Sequence, residues 1–212
     1  MTVKYRSNTI KKETLQTVSL LVPHLTPDAS VLDVGCGEGY VLDELVERGV
    51  RDVQGVDIVD IRRNKEHRFR FYDGVLLPFA DRTFDLVVLS FVLHHVPNER
   101  KRGLIEEALR VSRAKVVIVE DTPSTGFDRL MNWRHGQSYR RKIKSTAAFG
   151  FLTSGEWRWL FQGMGVDAET RPLSRFCRSI LQPFARTMFI LRKARALIPT
   201  PTPTPTPTPN PT

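Results

Sequence analysis

A short run of glycines, a few acids and one pair of histidines hold the chemical options of this chain. Residues 31–40 read VLDVGCGEGY, which places Gly35, Gly37 and Gly39 at alternate positions just after Asp33. Glycine lets backbone come close to a ligand because no Cβ stands in the way. A glycine loop between a strand and a helix offers backbone N–H groups to a nucleotide-like ligand. A second acid, Asp57, closes the apolar run VQGVD at 53–57. Ser90 and Phe91 follow another apolar run and precede His94 and His95. Histidine accepts a proton near neutral pH, so His94 and His95 are the candidate catalytic pair. Side chains of adjacent residues diverge, so at most one of the two faces a substrate. No cysteine and histidine cluster has metal-ligand spacing, so no metal is expected. Cys36, inside the glycine loop, reads as small filler rather than a nucleophile.

These residues need a scaffold that brings strand ends together. Residues 31–34 read as a short buried strand, and Val41, Leu42, Leu45 and Val46 recur at helical spacing within 38–48. Residues 83–96, TFDLVVLSFVLHHV, read as a further strand ending near the histidines, and 115–120, KVVIVE, as another. A helix is expected over 98–111 between them. Ser7 is placed to cap a first helix running to about Leu21, with Ile10, Leu15, Val18 and Leu21 on one side. The charged connection IVDIRRNKEH after Asp57 leaves room for one or two helical turns at most. Thr153 and Glu156 have capping-box spacing, so a helix is expected over 153–163. Two last strands are expected at 165–171 and 186–191.

The 212 residues suffice for one α/β domain with a real core. Two cysteines, Cys36 and Cys177, make no disulfide framework, so a reducing, cytoplasmic setting is expected. The first residues, MTVKYRSNTIKKE, lack the apolar stretch of a signal peptide, and no apolar run has the length of a membrane span. The net charge of +9 is unevenly placed. Residues 134–195 carry 13 Lys and Arg against 3 Asp and Glu, whereas residues 1–133 are close to neutral. Such asymmetry suits an anionic partner or a solvated basic surface. Residues 199–212 alternate Pro and Thr and hold half of the 14 prolines, so an extended polyproline-like tail is expected.

The dinucleotide fingerprint GxGxxG needs a glycine at position 40, where Tyr40 stands. The pattern DxGxGxG, starting at Asp33, instead resembles motif I of the class I S-adenosylmethionine-dependent methyltransferases. Residues 69–79, FRFYDGVLLPF, and the segment 83–96 with its His-His pair are similar to later stretches of that family. The likeness covers roughly residues 31–121 and is nearest to the subgroup that acts mostly on small molecules. One departure is the absence of a Pro-Gly-Gly turn before the fifth strand, where this chain reads VSRAKVVIV.

The resemblance implies a Rossmann-like α/β fold with a mostly parallel seven-stranded sheet and helices on both faces. It implies a single domain over 1–198, with an N-terminal helix in 1–30 and a cofactor-binding core over 31–121. A substrate-covering insertion follows over 122–152, then the last helix and strands over 153–198. It implies S-adenosyl-L-methionine as cofactor. Gly35, Cys36, Gly37, Gly39 and Ser90 would line it. Asp33 would order the loop and help orient the methionine ammonium. Asp57, with Ile58 beside it, would accept hydrogen bonds from the ribose hydroxyls. Asp73 would lie by the adenine, with Gly74 and Val75 as backbone neighbours.

The activity implied is methyl transfer to a small, anionic or lipid-like acceptor. Two alternatives stand beside it. One is an RNA methyltransferase of tRNA or rRNA, for which the basic third, with Trp133, Trp157, Trp159, Phe176 and Phe184, would supply phosphate contacts and stacking. The other is a non-catalytic S-adenosylmethionine-binding module that docks through its basic face onto nucleic acid or an acidic membrane surface. Neither the Pro-Pro-aromatic tetrapeptide nor the Pro-Cys nucleophile of nucleic-acid methylating enzymes is present, which favours the small acceptor.

Overall fold

The structure, a computed structural model, describes Lys4 and residues 8–143, 150–173 and 185–192, with backbone alone at residues 8–9 and 135–143. In chain order the elements are α1 (Asn8–Leu21), β1 (Ser30–Val34), α2 (Tyr40–Glu47), β2 (Asp52–Asp57), β3 (Arg68–Phe71) and β4 (Phe84–Ser90). There follow α3 (Asn98–Val111), β5 (Ser112–Asp121), α4 (Gly126–Ile143), α5 (Ser154–Gly163), β6 (Asp167–Leu173) and β7 (Arg186–Arg192). The seven strands form one sheet in the order β3-β2-β1-β4-β5-β7-β6, parallel except for β7, which runs against both of its neighbours. This is the Rossmann-like sheet expected from the sequence. The chain reverses direction across the sheet between β1 and β4, and open α/β sheets bind ligands at that point, outside the carboxyl ends of the strands.

Every residue of β1 is buried, because the strand lies between β2 and β4 with helices over both faces. One core joins β4 and β5 to α3 and α5 through Leu104, Ile105, Trp157, Phe161 and Phe189. The other joins the opposite face to α1 and α2 through Val18, Leu21, Leu42, Leu45 and Met188. The expected capping box starts α5. Glu156 N–H donates to Thr153 Oγ1 at 3.2 Å, and Thr153 N–H donates to Glu156 Oε2 at 2.7 Å.

Several elements differ from the sequence expectation. The strand expected over 83–96 stops at Ser90, where Phe91 turns to φ +56° and a 3₁₀ turn, Leu93–His95, follows. The fifth strand begins three residues early, at Ser112, directly after α3. A register irregularity against Phe84 and Leu86 takes the place of the missing glycine turn. No helix forms between β2 and β3. That connection is tied instead by Arg62, which grips both carboxylate oxygens of Asp60 at 2.9 and 3.0 Å and stacks 4.3 Å from the Phe69 ring. On α1 the buried side is Thr14, Thr17, Val18 and Leu21, with Leu15 half-buried, so the face is more polar than expected. Within 122–152 the chain builds α4. The cap at Ser7, the tail at 199–212, Cys177, Phe176 and Phe184 lie outside the described residues.

Candidate functional site

The site assembles at the carboxyl ends of β1, β2 and β4. The glycine loop leaves β1 and is tied at once to β2, because Gly35 and Cys36 N–H both donate to Val56 O, at 2.8 and 3.3 Å. Gly35, Gly37 and Gly39 all have positive φ, +71°, +52° and +84°, but they serve different ends. A Cβ on Gly35 would stand 2.2 Å from Val92 Cγ2, so that glycine is required by packing against the loop after β4. A Cβ on Gly37 would meet nothing within 4 Å, so Gly37 is the point where the loop opens outward. Gly39 begins α2 in the left-handed conformation.

Asp57 stands at the end of β2, one strand over. Its Oδ2 accepts Gly37 N–H at 2.9 Å and its Oδ1 accepts Ile58 N–H at 2.7 Å. Oδ1 also accepts Val59 N–H at 3.4 Å, so Oδ2, with one partner, is the oxygen with a lone pair left for a ligand. Beyond it Ile58, Val59, Val75 and Leu76 are exposed apolar residues, and Ile58 Cγ2 lies 3.7 Å from where a Gly74 Cβ would sit. A groove of about 410 Å³ opens beside Gly74 and Val75, walled on its far side by Glu99, Arg100, Gly103 and Leu104 of α3. Asp73 is exposed and uses Oδ1 to accept Val75 and Leu76 N–H, both at 2.8 Å. The Leu76 and Val75 N–H groups hold its carboxyl below the usual carboxylate range.

The other side of the loop was not legible as a site. α1 lies over it and roofs a cavity of about 130 Å³, lined by Ile10, Glu13, Thr14 and Thr17 from above. Cys36, Tyr40, Val41, Ser90 and Phe91 complete its walls. Thr17 Oγ1 lies 3.3 Å from Ser90 Oγ, and Arg186 bridges Glu13 at 2.6 Å and Asp121 at 2.9 Å while lying 4.8 Å over the Phe91 ring. Burial pushes the Asp121 carboxyl up, opposed by the Arg186 charge. The available signal was Glu13, Thr14 and Thr17 in a helix otherwise read for its apolar side.

Residues 5–170 match the model of a family described as "Methyltransferase domain". The chain belongs to that methyltransferase family. It is 38% identical over 102 residues to demethylmenaquinone methyltransferase of Renibacterium salmoninarum, a match covering 44% of this chain and 42% of that protein. It is 34% identical over 90 residues to a human protein named "Probable tRNA methyltransferase 9B", covering 40% of this chain and 19% of that one. The chain therefore spans less than half the length of the curated relatives it matches. Magnesium protoporphyrin IX methyltransferase from Synechocystis with bound S-adenosylhomocysteine superposes with a TM-score of 0.64, at 16% identity, over 91% of this chain and 90% of that one. An S-adenosylmethionine-dependent methyltransferase from Archaeoglobus fulgidus gives 0.64 at 17% identity, over 85% and 94%. The fold is that of the class I S-adenosylmethionine-dependent enzymes.

Burial sets the electrostatics at the base of the candidate site. Asp33 is fully enclosed within β1, and burial first, then the nearby Asp57 charge, push its carboxyl up to about 8. Cys36 is buried with its thiol pushed well above the usual range by the same burial, with Asp33 and Asp57 adding to it, so it makes a poor nucleophile. The two histidines diverge, as their adjacency requires. His94 is buried, with Nδ1 2.7 Å from Glu120 Oε2 and its ring stacked 4.9 Å from Phe151. Glu120 Oε1 also accepts Leu93 N–H at 2.6 Å, so this carboxylate pins the turn after β4. Lys101, fully buried, donates to Val96 O at 2.8 Å and Asn98 Oδ1 at 2.6 Å, and burial lowers its ammonium to about 8. His95 is half-exposed. Neither histidine lines the cavity under α1. Trp157, a candidate stacking residue, is instead packed in the core between Phe161 and Phe189, whereas Trp133 and Trp159 are exposed.

Proposed function

We propose that this chain transfers the methyl group of S-adenosylmethionine to a small, lipid-like acceptor. The observation that carries the reading is the roofed cavity under α1. It joins the glycine loop to Ser90 and Phe91 and is closed from solvent on one side by a helix. Bound cofactor would supply an activated methyl on a sulfonium leaving group, so the protein's task is to position reactants and exclude water. The residues fit that cofactor. Gly37 leaves space for it, Asp57 Oδ2 has a lone pair for a ribose hydroxyl, and Ile58, Gly74 and Val75 form an apolar slot fit for an adenine. Asp33 would become ionised beside the methionine ammonium.

At the acceptor end, the Arg186 guanidinium is already held by Glu13 and Asp121, which leaves it little to offer a phosphodiester. Residues 38% identical to a demethylmenaquinone methyltransferase support a small acceptor. The RNA alternative is supported by the shorter match to the protein named as a tRNA enzyme. In this reading His94 positions the turn through Glu120. The half-exposed His95, outside the cavity wall, is the candidate base for an acceptor that must lose a proton and extends beyond the cavity. The test is calorimetric titration with S-adenosylmethionine, followed by a methyl-release assay over quinols, phenols, fatty acids and total RNA. Turnover with an apolar small acceptor and none with RNA is expected. Turnover with RNA alone would replace the reading with its alternative.

A further inference from the structure

Helix α4 is built inside out. Phe127, Leu130 and Trp133 are 60%, 53% and 61% exposed, while Asp128 and Asn132 on the same turns are buried. At about 100° per residue, the three apolar positions form one ridge opposite the two polar ones. A surface helix ordinarily does the reverse. Asp128 closes the start of the helix, accepting the N–H and hydroxyl of Ser124 and the N–H of Thr125 at 2.8 to 3.0 Å. The ridge is bordered by exposed Arg129 and Arg134, and the helix continues through Arg140, Arg141 and Lys142 in the sequence.

We propose that this outward face of α4 docks on the surface of an anionic lipid bilayer. Phe, Leu and Trp on one helical ridge enter the headgroup–acyl boundary, and flanking arginines meet phosphate headgroups. No helix among the described residues is long and apolar enough to cross a membrane, so the mode is lying on the surface. The charge decides between occupants. Helix α4 carries Arg129, Arg134, Arg140, Arg141 and Lys142 against Asp128 as its one acid, which complements an anionic surface. A second copy packed face to face would set the basic stretch of α4 against its own image. RNA would use the basic side chains but has little use for Leu130 and Phe127, which offer no hydrogen bond to a base.

The test uses the full chain without cofactor or acceptor, so its outcome is independent of the activity proposed above. The chain is sedimented with vesicles of phosphatidylcholine alone and with about 30% phosphatidylglycerol, at low and high salt. Binding is expected only with phosphatidylglycerol, to weaken with salt, and to shift Trp133 fluorescence to the blue. The double variant Phe127→Ser, Leu130→Ser keeps Trp133 as reporter and changes exposed residues only. It should lose affinity for these vesicles by about tenfold or more, with S-adenosylmethionine affinity unchanged. Arg140→Glu, Arg141→Glu, Lys142→Glu should abolish the salt-sensitive part. Absence of vesicle binding by the folded wild type would overturn the proposal, as would equal binding by the double variant. So would a concentration-dependent dimer, or tight binding of an RNA oligonucleotide, that the double variant abolishes while vesicle binding persists.

Discussion

Replacing Asp33 by Asn should stabilise the protein, by an amount that grows with pH. Asp33 sits at the centre of the sheet, opposite Gly55 of β2 and Val88 of β4, and its carboxyl is pushed up to about 8. In the unfolded chain the same group titrates near ~3.9. Between those two values the native state holds a proton that the unfolded state has released. Stability therefore falls as pH rises through that window, by about 1.4 kcal/mol for each pH unit. From pH 6 to pH 8 the loss comes to about 2 kcal/mol, the slope flattening where the native group itself ionises. Asparagine has nearly the same shape and never ionises. The stability difference between Asp33→Asn and wild type should therefore widen by about 2 kcal/mol from pH 6 to pH 8 and level off above pH 9. Urea denaturation of both proteins without cofactor measures it, and other titrating groups cancel in the difference. A difference constant to within about 0.5 kcal/mol would refute the buried, proton-holding carboxyl. The same variant lacks the charge assigned to the methionine ammonium, so its S-adenosylmethionine affinity should fall by about 1.5–3 kcal/mol while its fold gains stability.

Four more substitutions separate roles within the site. Asp57→Ala should weaken S-adenosylmethionine binding by about 1.5–3 kcal/mol in calorimetry with the sheet intact, since the carboxylate lies at a strand end. Arg186→Met leaves Asp121 buried beside an unpaired Glu13, and should cost about 3–5 kcal/mol in urea denaturation. His94→Gln removes the partner of buried Glu120 and should cost about 1–3 kcal/mol of stability. His95→Gln should leave stability near wild type but lower kcat by about 10²–10⁴, and shift the acid limb of the pH–rate profile, for an acceptor that loses a proton. A larger loss of kcat with His94→Gln than with His95→Gln would reverse their assigned roles, and equal losses would remove the distinction.

The sequence by itself determined the frame. An apolar run, three glycines at alternate positions and a second acid-terminated run specify strand, loop, helix and strand through local geometry alone. Asp33, Gly37 and Asp57 stand where that local geometry sets them. Thr153 and Glu156 specify the start of α5 for the same reason, because a capping box is complete within four residues. What tertiary structure decided depends on contacts between distant segments. Val92 shows that Gly35 is demanded by packing, whereas Gly37 alone opens to a ligand; no spacing in the sequence distinguishes the two. Ser90 ends β4 because the chain turns at Phe91, although the apolar pattern runs on to Val96. The histidine pair separates into a buried and a half-exposed member only when Glu120, 26 residues from His94, comes beneath the turn. Thr14, Thr17 and Glu13 look like flaws in an apolar helix face until α1 lies over the glycine loop and meets Ser90 and Arg186, which are 73 and 173 residues away from Thr17 and Glu13. Periodicity reports which side of a helix is apolar. Which side of α4 faces inward, burying Asp128 and Asn132 and exposing Phe127, Leu130 and Trp133, was decided by how the helix packs on the rest of the fold.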